Sequence, residues 1–297
     1  LTLNETPGTP ATPFTVVLTR PAGQSAALIE KLAARGLGVL DFPLLGIEAL
    51  DDDAPLRAAL GALERYALVI FVSPNAVEWA FARHRDARGD VKAWPRTLPV
   101  AAVGPSSVAA LARHGLAAPG CTIISPGNTA GDTDDSASIC PARFDSEALY
   151  DAIEKTLGAH ALQGRRVLIV RGDGGRAWLA NRLREAGAEV ETVAAYRRVM
   201  PQPSLNAWAR VRALLGGEAH AWVLTSSEGV RNLDALARAH LSAHENAALR
   251  RATLVAPHAR IAETAHSLGF CAVTLSGPGD ESIESTLVLL ANVVQSA

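Results

Sequence analysis

The chain has 297 residues, 48% of them hydrophobic and 20% charged. At about 150 residues per domain this suggests two globular domains, and it excludes wholesale disorder. Lys and Arg number 28 against 30 Asp and Glu, so the net charge of −2 excludes the broad basic field of a non-specific nucleic-acid binder.

The first 13 residues, LTLNETPGTPATP, carry no basic run and no apolar core. They read as a disordered tail rather than a signal peptide. Strand-like apolar runs then follow at FTVVLT (14–19), ALVIFV (67–72), LPVAAV (98–103), RVLIVR (166–171), AWVLT (221–225), ATLVA (252–256) and CAVTL (271–275). Ala/Leu/Arg segments of helical period lie between most of them, such as 25–35 and 178–185. Short strands alternating with helices predict parallel sheets covered on both faces, an α/β fold. Asp51, Asp52 and Asp53 read as a solvated helix start. The Gly-, Ser- and Asp-rich segment 121–144 reads as a long loop, with Asp145-Ser146-Glu147 capping the next helix. His240 and His244 stand four apart in one predicted helix, but no third ligand accompanies them, so a metal site is not expected. Cys121, Cys140 and Cys271 form no CxxC pair, which predicts a reducing, cytoplasmic setting without a disulfide framework or structural zinc. No apolar run reaches the ~18 residues of a membrane helix.

An internal repeat organises the chain. FTVVLTRPAGQSAALIEKLAARGLGVLDFPLL, ALVIFVSPNAVEWAF and LPVAAVGPSSVAALARHGL recur in the same order as RRVLIVRGDGGRAWLANRLREAGAEVETVAAYRR, AWVLTSSEGVRNL and ATLVAPHARIAETAHSLGF. Each first block reads strand, turn, helix, Gly, strand, and each later block reads strand, turn, helix. Three blocks agreeing in order point to duplication.

In parallel α/β sheets ligands bind at the carboxyl ends of the strands. There the sequence places small polar turns holding Arg20, then Ser73 and Asn75, Gly104 and Ser106, Arg171, Gly174 and Arg176, Ser226, Ser227 and Gly229, and His258 and Arg260. Each turn precedes a helix, whose free N–H groups and partial positive charge suit an anion. Ordinary N-capping explains any one turn by itself. Six turns with arginines at 20, 171, 176 and 260 point instead to a polyanionic ligand held between two similar domains. The chain has no P-loop, no full GxGxxG and no GxSxG elbow. Tyr196, one of three tyrosines, falls where the chain should cross between domains. It is either a proton donor to the ligand or a packed hinge aromatic.

Taken together, Thr19-Arg20-Pro21, FPLLGIE (42–48), VSPNAV (72–77), VAAVGPSSVAAL (100–111), VRGDGGR (170–176), VAAYRR (193–198), LTSSEGVRNL (224–233) and the segment 258–270 resemble the uroporphyrinogen-III synthase family over roughly residues 14–275. The resemblance implies two flavodoxin-like domains joined by two linker strands. Residues 14–41 would join 200–297 in one discontinuous domain and 48–192 would form the other. Linkers at 42–47 and 193–199 would make this a swapped internal duplication.

The resemblance further implies a cofactor- and metal-independent cyclisation of hydroxymethylbilane, an octacarboxylate linear tetrapyrrole handed on by an upstream deaminase. The last ring inverts through a spiro intermediate and water is released. Tyr196 then matches the family's linker tyrosine and would assist departure of the hydroxyl. The turn residues above would bind acetate and propionate chains. Val72 departs from relatives that carry a hydroxyl beside the serine, which puts a contact there in doubt. A monomer is expected, with no nucleic-acid or membrane partner. The competing readings are a non-catalytic two-domain anion-binding protein and a nucleotide-donor transferase, the latter predicting stabilisation by nucleotide.

Overall fold

The computed structural model describes residues 14–84, 92–127 and 144–296. The 1–13 tail, Cys140 and most of the 121–144 loop lie outside the described residues. In chain order the first elements are β1 (Thr15–Leu18), α1 (Ala26–Ala34), β2 (Gly38–Asp41), β3 (Gly46–Glu48), α2 (Ala54–Gly61), β4 (Leu68–Phe71), α3 (Pro74–Phe81), β5 (Val100–Ala102), α4 (Pro105–Arg113) and β6 (Ile123–Ile124). There follow α5 (Ser146–Leu157), β7 (Arg166–Gly172), α6 (Trp178–Glu185), β8 (Glu189–Val199), α7 (Leu205–Leu215), β9 (His220–Val223) and α8 (Ser227–His240). The last are α9 (Ala243–Arg251), β10 (Thr253–Ala256), α10 (Ala259–Ser267), β11 (Val273–Leu275) and α11 (Asp280–Gln295).

The chain divides into two compact units, 1–46 with 199–297, and 47–198. The first unit holds a five-stranded sheet in the order β11-β10-β9-β1-β2, parallel at every pairing. Alternation along its strands divides the core in two. Val16 and Leu18 of β1 pack with Leu28 and Leu32 of α1 and with Ile283 and Leu287 of α11. Val17, Trp222 and Leu254 face the other way, among Trp208, Val211, Leu233 and Ile261 of α7, α8 and α10. This period of two on strands buried on both faces explains why the strands read as continuous apolar runs.

The second unit contains most of a six-stranded sheet, β3-β8-β7-β4-β5-β6, with parallel pairing from β8 through to β6. Its faces alternate in the same way. Val69, Phe71, Leu168 and Val170 pack with α2, α3 and α4, while Leu68, Ile70, Val167 and Ile169 pack with α5 and α6. Residues 193–199 continue β8 to its end.

The folded chain departs from two expectations. The segment 121–144 begins with a strand, β6, because Ile123 and Ile124 extend the apolar sheet edge beside β5. His240 and His244 share no helix. α8 ends at His240, and Ser242 opens α9 with a capping box closed by Glu245. That Ser-x-x-Glu signature stops one helix and starts the next. The His240 ring stacks on Trp208, 5.0 Å between centroids. Among the described residues no group of three or more His, Cys, Asp or Glu could hold a metal ion, and no helix is long and apolar enough to cross a membrane.

Phe42 anchors the first crossing into the core of the first unit. It is 1% exposed and meets Trp208 and Trp222 edge-on at 5.1 and 5.7 Å. Phe42→Ala is expected to destabilise the fold by about 3–5 kcal/mol, from lost transfer energy and the cavity left behind. The urea midpoint measures this. A Cβ at Gly46, a little further along, would lie 2.6 Å from Val199 Cγ2, so a side chain there would force Val199 to move.

Two histidines set an acid limit on stability. Burial, aided by the Lys92 charge, holds His84 below the ordinary imidazole value. Burial also lowers His220, against the opposing pull of the Glu218 carbonyl that it contacts at 2.7 Å. In the unfolded chain both protonate near 6.5. As pH falls from there, the unfolded state therefore binds protons that the folded state refuses. Stability should be fully present above about pH 6.5 and should decline toward the lowered native values. His84→Phe is expected to flatten the fall of Tm between pH 7 and 5.

Candidate active site

Because both sheets are parallel at the pairings described, the turns leaving their strands gather at one edge of each sheet. In the second unit the turn after β4 makes Ser73 the N-cap of α3, its Oγ accepting from Ala76 N at 3.1 Å. The turn after β5 makes Gly104 the N-cap of α4, and Ser106 lies exposed in its first turn. Asn75 lies in the first turn of α3. In the β7–α6 turn Gly174 holds a positive φ of 75°. Arg171 folds over this turn, donating to the carbonyls of Gly174 and Arg176.

A register shift between β7 and β8 then determines where Tyr196 points. Arg171 pairs with Ala194, but Gly172 pairs with Tyr196, so one residue of β8 is extra. Such a bulge re-aims the side chains beyond it. Tyr196 is buried, at 4% exposure, and its ring lies over the bare Cα of Gly172. Its hydroxyl stands 3.1 Å from Ser73 Oγ, while Asp173 N donates to the Tyr196 carbonyl at 2.7 Å. Arg198, two residues along the strand, reaches the Asp173 carbonyl at 3.5 Å. Burial first, and the neighbouring Arg198 charge second, push the Arg171 guanidinium below its ordinary value, with Tyr196 and Asp173 offsetting part of this. Among the described residues no carboxylate is ion-paired with Arg171. A bound anion would relieve that repulsion.

The remaining candidates are spread more widely. Arg176 is ion-paired with Glu147 of α5 at 2.8 Å. In the first unit Arg20 is engaged by Asp280 at the start of α11, 2.5 Å away. Ser226 caps α8 by accepting from Gly229 N at 2.9 Å. Ser227 Oγ donates to the Arg260 carbonyl at 3.3 Å and accepts from Thr264 Oγ1 at 3.0 Å. His258 is the N-cap of α10 without a side-chain capping bond, and both it and Arg260 are exposed. The structure thus joins Ser73 with Tyr196, and Ser227 with the Arg260 backbone. It turns Arg20 and Arg176 toward protein carboxylates. Sequence reasoning missed Arg198, Gly172, Asp280 and Thr264. Arg198 was open to discovery, because it follows Tyr196 at the strand period of two.

The family model for uroporphyrinogen-III synthase HemD matches residues 26–283. The chain belongs to the uroporphyrinogen-III synthase family. A synthase of Salmonella typhimurium is 32% identical over 186 residues, covering 62% of this chain and 65% of its own. The synthase of Synechococcus elongatus is 28% identical over 229 residues, 76% of each chain. Among solved structures, a mutant uroporphyrinogen III synthase of the extremely thermophilic bacterium Thermus thermophilus superposes with a TM-score of 0.55 at 16% identity, covering 96% of this chain and 100% of that one. That likeness supports the two-domain α/β fold. Membership of the synthase family makes this chain an enzyme of tetrapyrrole biosynthesis, as the motifs in VRGDGGR, VAAYRR and LTSSEGV implied.

Proposed function

We propose that the chain converts hydroxymethylbilane to uroporphyrinogen III. Within the family reading, the observation that carries this is the Tyr196 hydroxyl held 3.1 Å from Ser73 Oγ, near the Arg171 guanidinium, which burial first and the Arg198 charge second hold below its ordinary value. That is a proton donor next to an anion site. The reaction removes the bilane's terminal hydroxyl, and Tyr196 assists by hydrogen bonding to it or protonating it. The electrophilic azafulvene so formed is attacked by the substituted α-carbon of the last ring. A spiro intermediate forms, fragments and recloses with that ring inverted. The atoms balance with release of one water, so we assign no cofactor and classify the enzyme as a cyclising hydro-lyase.

The free bilane closes without inversion to the type I isomer. The enzyme's main task is therefore to hold one folded conformer of a reactive chain, and positioning is the larger contribution. Arg171 with Arg198 suits a carboxylate. Ser106, Ser226, Ser227 and the N–H groups of the turns at Gly104, Gly174, Gly229 and His258 suit others, with Asn75 and Arg260 at the rims. Arg20 and Arg176, already paired with Asp280 and Glu147, would have to exchange partners to contribute. We place the monomeric enzyme in the cytoplasm, downstream of the deaminase that makes the bilane.

We also propose that the two units arose by duplication with a swap. Numbered in chain order, the first unit's sheet runs 2-1-3-4-5. In the second sheet the strands β8-β7-β4-β5-β6 follow the same path with the chain order rotated. Exchange of the leading βαβ block between two copies produces that rotation.

The test is to supply freshly made hydroxymethylbilane to the purified chain, oxidise the products and separate the isomers. Predominantly type III product without added metal or nucleotide is the expected result. Only type I, at the spontaneous rate and with the protein folded, would leave an anion-binding protein. Stabilisation by nucleotide would favour a transferase.

A further inference from the structure

The Ser73 hydroxyl is placed for more than one role. It sits in the turn after β4 as the N-cap of α3, one of the turns that the family resemblance assigns to the substrate's carboxylates. Its two hydrogen-bond partners are both protein groups, however. Ala76 N–H donates to Oγ at 3.1 Å, and the Tyr196 hydroxyl stands 3.1 Å away on the other side. A serine hydroxyl has one hydrogen to give and two lone pairs. With a lone pair taken by Ala76 N–H, Oγ is a poorer acceptor and its O–H a better donor, because bonds in a chain polarise one another.

We infer that Ser73 is a positioning residue for Tyr196: it donates its hydrogen to the phenol oxygen, turns the phenol hydrogen outward to the departing hydroxyl, and holds the oxygen once that hydrogen has left. The inference rests on Tyr196 acting as the proton donor. In that step the Tyr196 O–H bond breaks and its proton joins the substrate hydroxyl. The C–O bond breaks with its electron pair leaving on water, and the pyrrole nitrogen's lone pair supplies the new double bond. The phenolate then bears a full charge, facing Ser73 O–H and the first turn of α3. The proton shed as the macrocycle regains its aromatic rings restores the phenol. Gly172 leaves the ring room to lie in this position.

The test measures kcat and KM for type III product in Ser73→Ala, Ser73→Thr, Tyr196→Phe and the Ser73→Ala/Tyr196→Phe double variant. Ser73→Ala should lower kcat by about tenfold to a hundredfold, the worth of one hydrogen bond to a charged oxygen, with KM nearly unchanged. Ser73→Thr, which keeps the hydroxyl and the helix cap, should restore most of the rate. The double variant should be no slower than Tyr196→Phe alone. A loss of helix capping or of a substrate contact would slow the Tyr196→Phe background by the same factor as the wild type, and that additivity would overturn the inference. So would a Ser73→Ala variant that raises KM at unchanged kcat. Wild-type turnover by Tyr196→Phe would overturn both this inference and the donor assignment on which it rests.

Discussion

Tyr196→Phe should lower kcat by about 10²-fold or more, within the range of one general acid, while the product that does form remains type III. The hydroxyl is the only group removed. The ring still fills the space over Gly172, and the core around Tyr196, which includes Val170 and Val193, is unchanged. Folding should therefore survive, with a Tm close to that of the wild type. Isomer choice follows from how the bilane is held, and the groups that would hold it are untouched. A rate within a factor of two of wild type would remove Tyr196 from the chemistry and leave it as a packed strand residue.

Gly172→Ala should nearly match that loss of turnover without altering any functional group. A Cβ at this position would lie 2.7 Å from Tyr196 Cζ and 2.8 Å from Cε2, closer than van der Waals contact permits. The backbone of β7 pairs with β4 as far as Val170 and with β8 through Gly172, so the phenol end of Tyr196 is the part free to give way. The hydroxyl then leaves Ser73. The overpacking should cost about 1–3 kcal/mol of stability, enough to read in a denaturant titration and too little to unfold the protein. Unchanged kcat with normal stability would mean that the ring has another seat and that the contact over Gly172 is incidental.

Both predictions depend on a bulge that the strand pattern does not announce. In VAAYRR the side-chain period of two would set Tyr196 opposite Ala195 across the sheet. The shift at Arg171/Gly172 lets both residues join the same core cluster, with Val170 and Val193. Gly172 itself reads in the sequence as one more glycine of a flexible turn. Its importance is steric and lies in a neighbour on the adjacent strand. The Arg20–Asp280 pair spans 260 positions and is equally invisible in sequence. The helix break between His240 and His244 was legible, since Ser242 and Glu245 carry the capping-box spacing.

The alternation of strands and helices, the six polar turns before helices, and the family could all be read from the amino-acid string. Those features are local: burial on both faces makes strands continuously apolar, and free N–H groups at a helix start select Ser, Asp and Gly. Which of the chemical groups meet emerged only from the folded chain. Ser73 and Tyr196 are 123 positions apart, and strand pairing, a one-residue bulge and a missing Cβ together bring their oxygens within hydrogen-bonding distance. Contacts of that kind arise from the sum of many weak packing preferences, and no short stretch of the chain encodes them.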